Sequence, residues 1–520
     1  MTDALLPILT SDGMRAADRA TMERWGVPGR VLMETAGRAT VDAVAARFPV
    51  EGARVTVLAG KGNNGGDGLV IARVLAARGA HVRCVTLATE AEATEDTTAN
   101  LALLRRAARE SDRVEVVAFE DVRQAANAPA DLVVDALLGI GVSGPLREPV
   151  RGLCAWAGRQ GAPVIAVDVP SGLDATTGGA AERTPPAALT VTMAGLKAGL
   201  LLGDGPALAG EVVVAEIGIP ASEVERAAAA HRAPDGWVAA RLPRRAADAH
   251  KYSAGTALCV VGSGHFTGAA VLSTAAAYRA GAGAVVCCTP RSARATVDVR
   301  NAEVMVDAQR ETDGGGLAWA ALDAVAARAR SADAVLVGCG VGRDDETLRL
   351  VRALVGLVTA PLVLDADGLA AYAGDADALA DRAAPLVLTP HLGELRRLLG
   401  EPDFDPGDRI ETVRELARRW GAVLLLKGMP SVVGTPDGRV VVGPPGHPAL
   451  ATAGTGDVLA GTIAGLLAQG LGPAEAAVCA LHLGAAAADV WTREHGRGGL
   501  VASDLLDRMP RAAAERFPRP

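Results

Sequence analysis

Aromatic side chains and excess positive charge are both scarce in this 520-residue sequence. Phe, Trp and Tyr together make up 3% of the residues, and the formal net charge is −8. A surface that binds nucleic acid needs a basic face and often stacking aromatic rings, so no nucleic-acid partner is expected. The seven cysteines form no C-x-x-C pair, which favours reduced thiols in the cytoplasm.

Long apolar runs and leader-like segments are missing as well. No stretch of about 18 uncharged apolar residues occurs, so we expect no membrane span. The segment from Met1 to Leu9 contains Asp3 and lacks a basic region followed by a long apolar core, so no signal peptide is expected. The expected location of the protein is therefore the cytoplasm.

The sequence is instead rich in Ala, Gly and Val, and 50% of it is hydrophobic. Val-rich, strand-like runs alternate with Ala- and Leu-rich helical runs in both halves, which predicts α/β layers. A chain of this length is expected to hold at least two domains. The Ala- and Arg-rich stretch 221–245 contains prolines and lacks strand patterning. It predicts domains at 1–225 and 241–520, joined by a linker at 226–240.

A first glycine-rich loop, Lys61-Gly-Asn-Asn-Gly-Gly-Asp-Gly68, lies between the apolar strand predicted at Arg54–Ala59 and a helix predicted at Leu69–Arg78. Backbone N–H groups at a helix N-terminus can bind an anion, and glycines let a phosphate approach closely. This first βα turn contains no G-x-G-x-x-G, so the ordinary dinucleotide fingerprint is absent. The loop therefore predicts an anionic ligand of another type.

Two later predicted strands also end in polar loops. One loop carries Asp135, and the other carries Asp168 and Ser171. Ligands bind beyond the carboxyl ends of parallel strands, so these side chains and Asn64 are predicted to share a pocket. Their amide, carboxylate and hydroxyl oxygens are hard donors, which suit an alkali or alkaline-earth cation better than zinc. The structural alternative is that the glycines serve tight turns and the aspartates cap helices.

A second glycine-rich loop, Thr452-Ala-Gly-Thr-Gly-Asp457, precedes a helix predicted at Val458–Gln469. An Asp there can take a proton from a hydroxyl group, while the N–H groups hold a transferring phosphoryl group. No Walker loop occurs, so such a site would be of the ribokinase type. Taken alone, His391 is more often structural, and Lys427 could be an exposed charge at a strand end. Further segments at predicted strand ends are Gly262–Gly268, Gly338–Gly342, Leu388–Glu394 and Leu425–Ser431.

These motifs, in this order, resemble the family of bifunctional NAD(P)H-hydrate repair enzymes. In that family an epimerase domain precedes an ADP-dependent NAD(P)H-hydrate dehydratase domain. The resemblance covers nearly the whole chain, and its most specific pieces are K-G-N-N-G-G-D-G, D-V-P-S-G-L-D, T-P-H-L-G-E and A-T-A-G-T-G-D-V-L-A-G. It implies an α/β protein with a Rossmann-like three-layer N-terminal domain and a ribokinase-like C-terminal domain.

The resemblance also implies the residues of an epimerase site. Asp168 would move protons while the R and S forms of the hydrate interconvert at ring carbon 6. Asn64, Asp135 and Ser171 would bind potassium. The hydrated nucleotide would be held by Asp168 together with Asn63, Asn64, Gly65, Gly66, Asp67, Gly139, Ile140, Gly141, Val142, Ser143, Gly144 and Pro145.

In the second domain the resemblance implies a dehydratase site. ADP with Mg²⁺ would phosphorylate the hydroxyl group of the S hydrate, Asp457 would take its proton, and phosphate would then leave. Gly340, Gly342, His391 and Asp457 would bind the substrate, and Cys339 stands where the family usually has proline. ADP would be contacted by Lys427, Gly428, Met429, Pro430, Ser431, Thr452, Ala453, Gly454, Thr455 and Gly456.

A second interpretation of the same chemistry is a vitamin-alcohol kinase of the ribokinase type, fused to a non-catalytic binding domain. The epimerase-like loops argue against a plain kinase, because a kinase has no use for them. The expected partners are a small-molecule substrate, the hydrates of NADH and NADPH, and ADP, with no membrane partner. Self-association into a homo-oligomer is expected.

Overall fold

A computed structural model of the protein describes residues 4–89, 91–119, 129–141, 143–246, 248–496 and 498–518. The chain divides into two compact α/β units: the first is Leu6–Ala229, and the second contains the described residues from Ala230 onward together with Ala4 and Leu5. Within the described residues, no helix is both long and apolar enough to cross a membrane.

The strands of the first unit form a parallel sheet and one short additional pair. They are β1 (Leu6–Leu9), β2 (Arg54–Ala59), β3 (His81–Thr86), β4 (Val114–Ala118), β5 (Leu132–Ala136), β6 (Val164–Val167), β7 (Leu189–Met193), β8 (Leu196–Lys197) and β9 (Glu211–Ala215). The sheet order is β4-β3-β2-β5-β6-β7-β9, and β1 pairs with β8. Because the neighbouring strands of the sheet are parallel, their carboxyl ends meet at one edge.

Helices cover both faces of this sheet. They are α1 (Ser11–Trp25), α2 (Gly29–Ala45), α3 (Asn63–Ala77), α4 (Glu95–Glu110), α5 (Val150–Ala157), α6 (Ala198–Leu201), α7 (Gly205–Leu208) and α8 (Ala221–Arg226). Successive residues of a strand point to opposite faces. Val57 of β2 accordingly packs with Leu69 of α3, whereas Leu58 packs in a second cluster with Leu153 of α5. The result is a three-layer arrangement.

Helix α3 begins at Asn63, earlier than the start predicted at Leu69, so most of the first glycine-rich motif is helical. Packing accounts for the difference, because the glycines lie where no side chain fits. A Cβ on Gly65 would collide with the backbone oxygen of Gly60, and a Cβ on Gly66 would lie 2.6 Å from Met33 Cε. The low helix propensity of glycine is overridden by this close approach.

The second unit contains a longer sheet. Its strands are β10 (Ala230–Arg232), β11 (Thr256–Val260), β12 (Ala284–Pro290), β13 (Met305–Gln309), β14 (Ala334–Val337), β15 (Leu362–Leu364), β16 (Leu386–Leu388), β17 (Val423–Leu426), β18 (Val432–Gly434) and β19 (Val440–Val442). The order is β13-β12-β11-β14-β15-β16-β17-β18-β19-β10. Strand β18 runs antiparallel to β17 and β19, and the other pairings are parallel.

The helices of the second unit cover its sheet. They are α9 (Asp235–Arg241), α10 (Thr267–Arg279), α11 (Arg294–Arg300), α12 (Leu322–Ala329), α13 (Asp345–Leu357), α14 (Asp367–Ala370), α15 (Leu392–Leu399), α16 (Arg409–Arg419), α17 (Thr455–Ala468), α18 (Pro473–His495) and α19 (Ala502–Arg516). Helix α17 begins at Thr455, three residues before its predicted start, so Asp457 belongs to its first turn.

The segment predicted as a linker, 226–240, is ordered secondary structure for much of its length. Strand β10 pairs in parallel with β19, and helix α9 begins three residues later. Trp237 and Val238 of α9 belong to the main hydrophobic core of the second unit. The expectation of a strandless join is therefore corrected, because β10 is too short to show a strand pattern in the sequence. The first unit ends at Ala229, and the second continues from Ala230.

Candidate active sites

A cleft of about 1230 Å³ lies in the first unit, where the sheet strands end. Residues that follow β2, β5, β6 and β9 line it, and so does the beginning of α3. The predicted site residues that line this cleft are Asn63, Asn64, Asp67, Gly139, Ile140, Gly141, Ser143, Pro145 and Asp168. The cleft therefore gathers most of the predicted nucleotide-binding set.

The remaining predicted nucleotide-binding residues are not among those that line the cleft. Val142 lies outside the described residues. Among the residues that the structure describes, Gly65, Gly66 and Gly144 do not line the cleft. Gly65 and Gly66 instead face the interior, where they allow α3 to pack closely.

The three predicted potassium ligands meet around the loop that follows β5. The Ser171 hydroxyl donates to Asp135 Oδ1 at 2.6 Å, and the Ser171 N–H donates to Asp135 Oδ2 at 2.8 Å. Ser171 Oγ also accepts from the Leu138 N–H at 2.9 Å. The Asn64 amide nitrogen donates to the Leu138 carbonyl oxygen at 2.9 Å. One hydrogen-bonded network thus joins the amide, the carboxylate and the hydroxyl.

One oxygen of this network is left without a protein donor. Asn64 Oδ1 is buried and has no hydrogen-bond partner among the described residues. An unsatisfied buried oxygen costs free energy unless a cation or a water molecule occupies the space beside it. Burial also raises the pKa of Asp135, so a bound cation would relieve both groups.

Asp168 follows β6 in a left-handed backbone conformation, with φ of 66°. Its Oδ1 accepts hydrogen bonds from the Thr192 hydroxyl and the Met193 N–H, both at 3.1 Å. Lys197 Nζ lies 2.9 Å from the same oxygen. These three donors fix the orientation of the carboxylate group.

Lys197 is a functional candidate that was not predicted from the sequence. Its side chain is 0% exposed, and its Nζ donates to the carbonyl oxygens of Met193 and Gly195 at 2.7 and 3.1 Å. A buried ammonium group needs such partners, and Asp168 supplies the opposite charge. The available signal was a single charged residue within the otherwise apolar run around β7 and β8.

The second site centres on the first turn of α17. Gly454 precedes this helix in a left-handed conformation, with φ of 88°, which lets the chain turn sharply into the helix. Burial raises the pKa of Asp457 to about 6, and the charge of Asp365 raises it as well. A hydrogen bond from the Cys339 thiol and the charge of Lys427 act in the opposite direction. Such a pKa suits a general base near neutral pH.

Lys427 is not an exposed charge at a strand end. Its Nζ lies 2.8 Å from Asp365 Oδ1 and 3.6 Å from Glu394 Oε2, and 18% of its side chain is exposed. Burial alone would lower the pKa of Lys427, but pairing with the two carboxylates outweighs burial and raises it. A Cβ on Gly456 would lie 3.5 Å from this Nζ, so the ammonium group adjoins the predicted nucleotide loop.

His391 caps helix α15 and is also half exposed. Its Nδ1 accepts from the Glu394 N–H at 3.2 Å, and the His391 N–H donates to Glu394 Oε2 at 2.9 Å. This reciprocal pair is a capping box, so the histidine has the structural role that the alternative interpretation proposed. Its exposed ring remains available to a ligand as well.

The loop after β14 has little room for side chains. Gly340 has φ of 64°, and a Cβ there would lie 2.8 Å from the Cβ atoms of Phe266 and Ala269. The Gly342 N–H donates to Asp367 Oδ2 at 3.2 Å. Cys339 lies beneath this loop, with its Sγ 3.7 Å from Asp365 Oδ2.

Cys339, Asp365 and Asp457 place possible metal-ligating atoms within 4.8 Å of one another. The set does not fit a resident metal ion, because Lys427 already pairs with Asp365. Burial and the neighbouring Asp365 also raise the pKa of the Cys339 thiol well above its ordinary value, whereas a metal ligand must be a thiolate. The group is better described as the Asp457 carboxylate with two neighbours that shift its pKa, since Asp365 raises it and the thiol of Cys339 lowers it.

Comparison with known proteins agrees with this geometry. Residues 29–199 match a family model described as the YjeF-related protein N-terminus, and residues 257–511 match one described as NAD(P)H-hydrate dehydratase. The bifunctional NAD(P)H-hydrate repair enzyme of Salinibacter ruber is 48% identical over 98% of this chain and 97% of its own length. That of Moorella thermoacetica is 39% identical over 97% of this chain and 96% of its own.

The chain belongs to the family of bifunctional NAD(P)H-hydrate repair enzymes. A crystal structure of the ADP/ATP-dependent NAD(P)H-hydrate dehydratase from Bacillus subtilis, with ATP and Mg²⁺, covers 55% of this family member and 97% of its own chain, at 32% identity and a TM-score of 0.47. The predicted α/β fold class is confirmed, with a YjeF-related N-terminal domain preceding an NAD(P)H-hydrate dehydratase domain.

Proposed function

We propose that this protein repairs hydrated NADH and NADPH at two separate sites. The first site interconverts the R and S hydrates, and the second converts the S form back to the dinucleotide. The main support for this proposal is that each unit contains its own group of polar side chains suited to one of the two reactions. A vitamin-alcohol kinase would have no use for the cleft of the first unit, with its buried Asp168–Lys197 pair. Family membership over nearly the whole chain supports the same choice.

At the first site, Asp168 is the group that moves protons. Its carboxylate lines the cleft, where the hydroxyl at ring carbon 6 of the hydrate would lie. Lys197 and the other two donors contact Oδ1 and so hold the carboxylate in one orientation for proton transfer. The nucleotide is held by the first turn of α3, through Asn63, Asn64 and Asp67, and by the residues after β5 that line the cleft.

Potassium is the cation that we assign to Asn64, Asp135 and Ser171. All three residues offer hard oxygen donors, and only one of them is charged, which favours a monovalent ion over a tightly held divalent one. The unpaired Asn64 Oδ1 supports this choice. When bound, the ion would offset repulsion between the substrate phosphates and the carboxylates of the cleft.

The potassium assignment is tested on epimerisation. Replacing potassium by a large organic cation should weaken substrate binding or slow epimerisation, and Asp135→Ala should do the same. The two effects should not add, because both empty one site. Asn64→Ala is the matched second variant, since it removes the unpaired oxygen and leaves Asp135 bonded to Ser171. If the epimerisation rate does not depend on potassium in wild-type protein, Asp135→Ala or Asn64→Ala, these residues have only a structural role in their loops.

At the second site, ADP with Mg²⁺ would phosphorylate the hydroxyl of the S hydrate, because phosphate leaves far more readily than hydroxide. Asp457 accepts the hydroxyl proton, and the backbone N–H groups at the start of α17 hold the phosphoryl oxygens. Gly340, Gly342 and His391 contact the substrate. Lys427–Ser431 and Thr452–Gly456 contact the nucleotide, with Lys427 beside the phosphates.

The two activities can be tested on the full chain with a mixture of R and S hydrates. Dihydronicotinamide absorbance should recover completely with ADP and not at all without it. In the absence of ADP the ratio of the two epimers should still relax to equilibrium. No recovery with ADP would contradict the proposal for the second site, and an unchanged ratio would contradict it for the first.

Three further assignments accompany this function. The epimerase domain comprises the first unit, and the dehydratase domain comprises the second. The protein acts in the cytoplasm, in agreement with its seven cysteines, all of which are free and buried. It forms a homo-oligomer, which light scattering on the purified protein would test.

A further inference from the structure

Asp67 is a carboxyl group of the first cleft to which the mechanism above gives no chemical role. It lies near the beginning of α3, and it lines the cleft together with Asp168, which follows β6, and Asp18 on α1. Three of the carboxyl groups that line this pocket thus come from three different parts of the fold, while Glu92, Asp96 and Glu148 also line it. A reaction that inverts a carbon centre needs both a proton donor and a proton acceptor, so this arrangement has a chemical use.

The surroundings of Asp67 and Asp168 are opposite in kind. Asp168 accepts from Thr192, Met193 and Lys197, which together hold its carboxylate in one orientation. Asp67 is partly exposed in the cleft, and within the described part of the chain no group donates a hydrogen bond to its carboxyl and no cation pairs with it. A carboxyl group without donors or a cation beside it keeps its proton more readily than one that has them.

Electrostatics agree with this contrast. Burial raises the pKa of Asp67 well above its ordinary value, and the charges of Asp168 and then Asp18 raise it further. Those two are the charges that raise the pKa of Asp67, and the other charged side chains that line the cleft are Arg15, Lys61, Glu92, Asp96, Arg147 and Glu148. Neighbouring carboxyl groups in contrasting environments are the usual arrangement of an acid and a base.

We propose that Asp67 is the general acid of the epimerisation, and that Asp168 is the general base. This proposal deepens the function proposed above and rests on it. Asp67 gives its proton to the hydroxyl at ring carbon 6 as the C6–O bond breaks, and the hydroxyl leaves as water. The electron pair of N1 stabilises the cation at C6. A water molecule then adds to the other face of C6, and Asp168 takes its proton as the new C6–O bond forms.

The step balances in atoms and charge. One water molecule leaves and one enters, no electron is gained or lost, and one proton passes from Asp67 to Asp168 through the two water molecules. Proton exchange with solvent resets the pair. The reverse reaction uses the same groups in exchanged roles, so the enzyme can begin from either epimer.

The test follows the pH profile of epimerisation by the full chain, without ADP and with potassium present, with the epimers separated by chromatography. Wild-type protein should lose activity at high pH, where Asp67 loses its proton. Asp67→Asn should lower the rate by about 10²–10⁴, and the remaining activity should have no alkaline limb. Asp67→Glu keeps an acid and should keep an alkaline limb. Asp18→Asn removes a negative neighbour, so that limb should move to lower pH.

The outcomes separate this proposal from the one on which it rests. Wild-type protein that does not epimerise would overturn the proposed function itself. If wild-type protein epimerises and Asp67→Asn does so at a similar rate, or keeps its alkaline limb, Asp67 is not the acid. Should Asp67→Asn fail to fold, Asp18→Asn and Asp67→Glu decide, and a wild-type alkaline limb that does not move in Asp18→Asn overturns the proposal.

Discussion

Asp168 and Asp457 are both aspartates beside a glycine-containing loop. Asp168 directly follows strand β6, and Asp457 lies in the first turn of helix α17. Their neighbours differ. Asp168 is held by Lys197 and two further donors, whereas Asp457 lies near another carboxylate, Asp365, and has a pKa raised to about 6. The comparison teaches that burial, charge and donors determine what a loop aspartate can do, and the motif alone does not.

The lysines of the two sites extend the comparison. Lys197 pairs with the proposed base itself, so the first site contains a fixed ion pair. Lys427 pairs instead with Asp365 and Glu394, and Asp457 has a raised pKa. The first site therefore holds its base in a set position, and the second raises the proton affinity of its base above that of an ordinary aspartate.

The largest expected effect separates the two bases. Asp457→Asn should lower dehydration by about 10²–10⁴, because it removes a general base. Epimerisation should be unchanged, since the cleft of the first unit contains no residue of the second. Absorbance recovery with ADP measures the first activity, and chromatography of the epimers measures the second. Equal loss of both would indicate misfolding and would contradict two independent sites.

A second variant breaks the ion pair of the first site. Lys197→Met leaves Asp168 buried without its cation, and losing one partner of a buried pair costs about 3–5 kcal/mol. Epimerisation should be lost, and the first unit should unfold at lower denaturant concentration. Dehydration of pure S hydrate by the same protein serves as the control. An Lys197→Met protein that epimerises normally would show that the lysine does not support the base.

A third prediction concerns the N-terminal boundary of a stable fragment of the second unit. A fragment that begins at 241 lacks β10 and α9, including the core residue Trp237, and loss of a buried Trp side chain alone costs about 3–5 kcal/mol. It should aggregate or melt at lower temperature than a fragment that begins at Ala230. Thermal melting and dehydration of the S hydrate compare the two. Equal behaviour would mean that β10 and α9 add nothing to the second unit.

The smallest expected effect is a shift in a pH profile. Because Asp457 has a pKa of about 6 and acts as the base when deprotonated, dehydration should rise with pH through that value. The thiol of Cys339 lowers this pKa by hydrogen bonding, so Cys339→Ala should move the acidic limb to higher pH. Cys339→Ser keeps a donor and should leave the limb nearly in place. Identical limbs in all three proteins would exclude the contact from the mechanism.

Much of this arrangement could be predicted from the sequence, because it depends on local signals. Strand β2 has the predicted bounds, since a continuous apolar run between turn residues gives a clear pattern. The convergence of Asn64, Asp135 and Ser171 also follows from the rule that parallel strands end at one edge. Helices α3 and α17 start earlier than predicted, because packing of their glycines outweighs intrinsic propensity.

The parts that were not predicted depend on contacts distant in sequence. Asp168 follows β6, and Lys197 lies in β8 shortly after β7. The two residues meet because the parallel pairing of β6 and β7 places the carboxyl ends of these strands side by side. Asp365 was not chosen, although it directly follows β15 and the sheet-edge argument applied to it equally. Burial and neighbouring charges raise the pKa values of Asp67 and Asp457, and sequence patterns do not report either cause.

The most direct test of two independent sites is a mixing experiment with Asp168→Asn and Asp457→Asn proteins. With R and S hydrates, ADP and potassium, Asp168→Asn alone should rapidly recover only the S fraction, and Asp457→Asn alone should recover almost none. The mixture should recover all of the dihydronicotinamide, because hydrate epimerised by one protein can be dehydrated by the other. A mixture that recovers no more than Asp168→Asn alone would contradict this account.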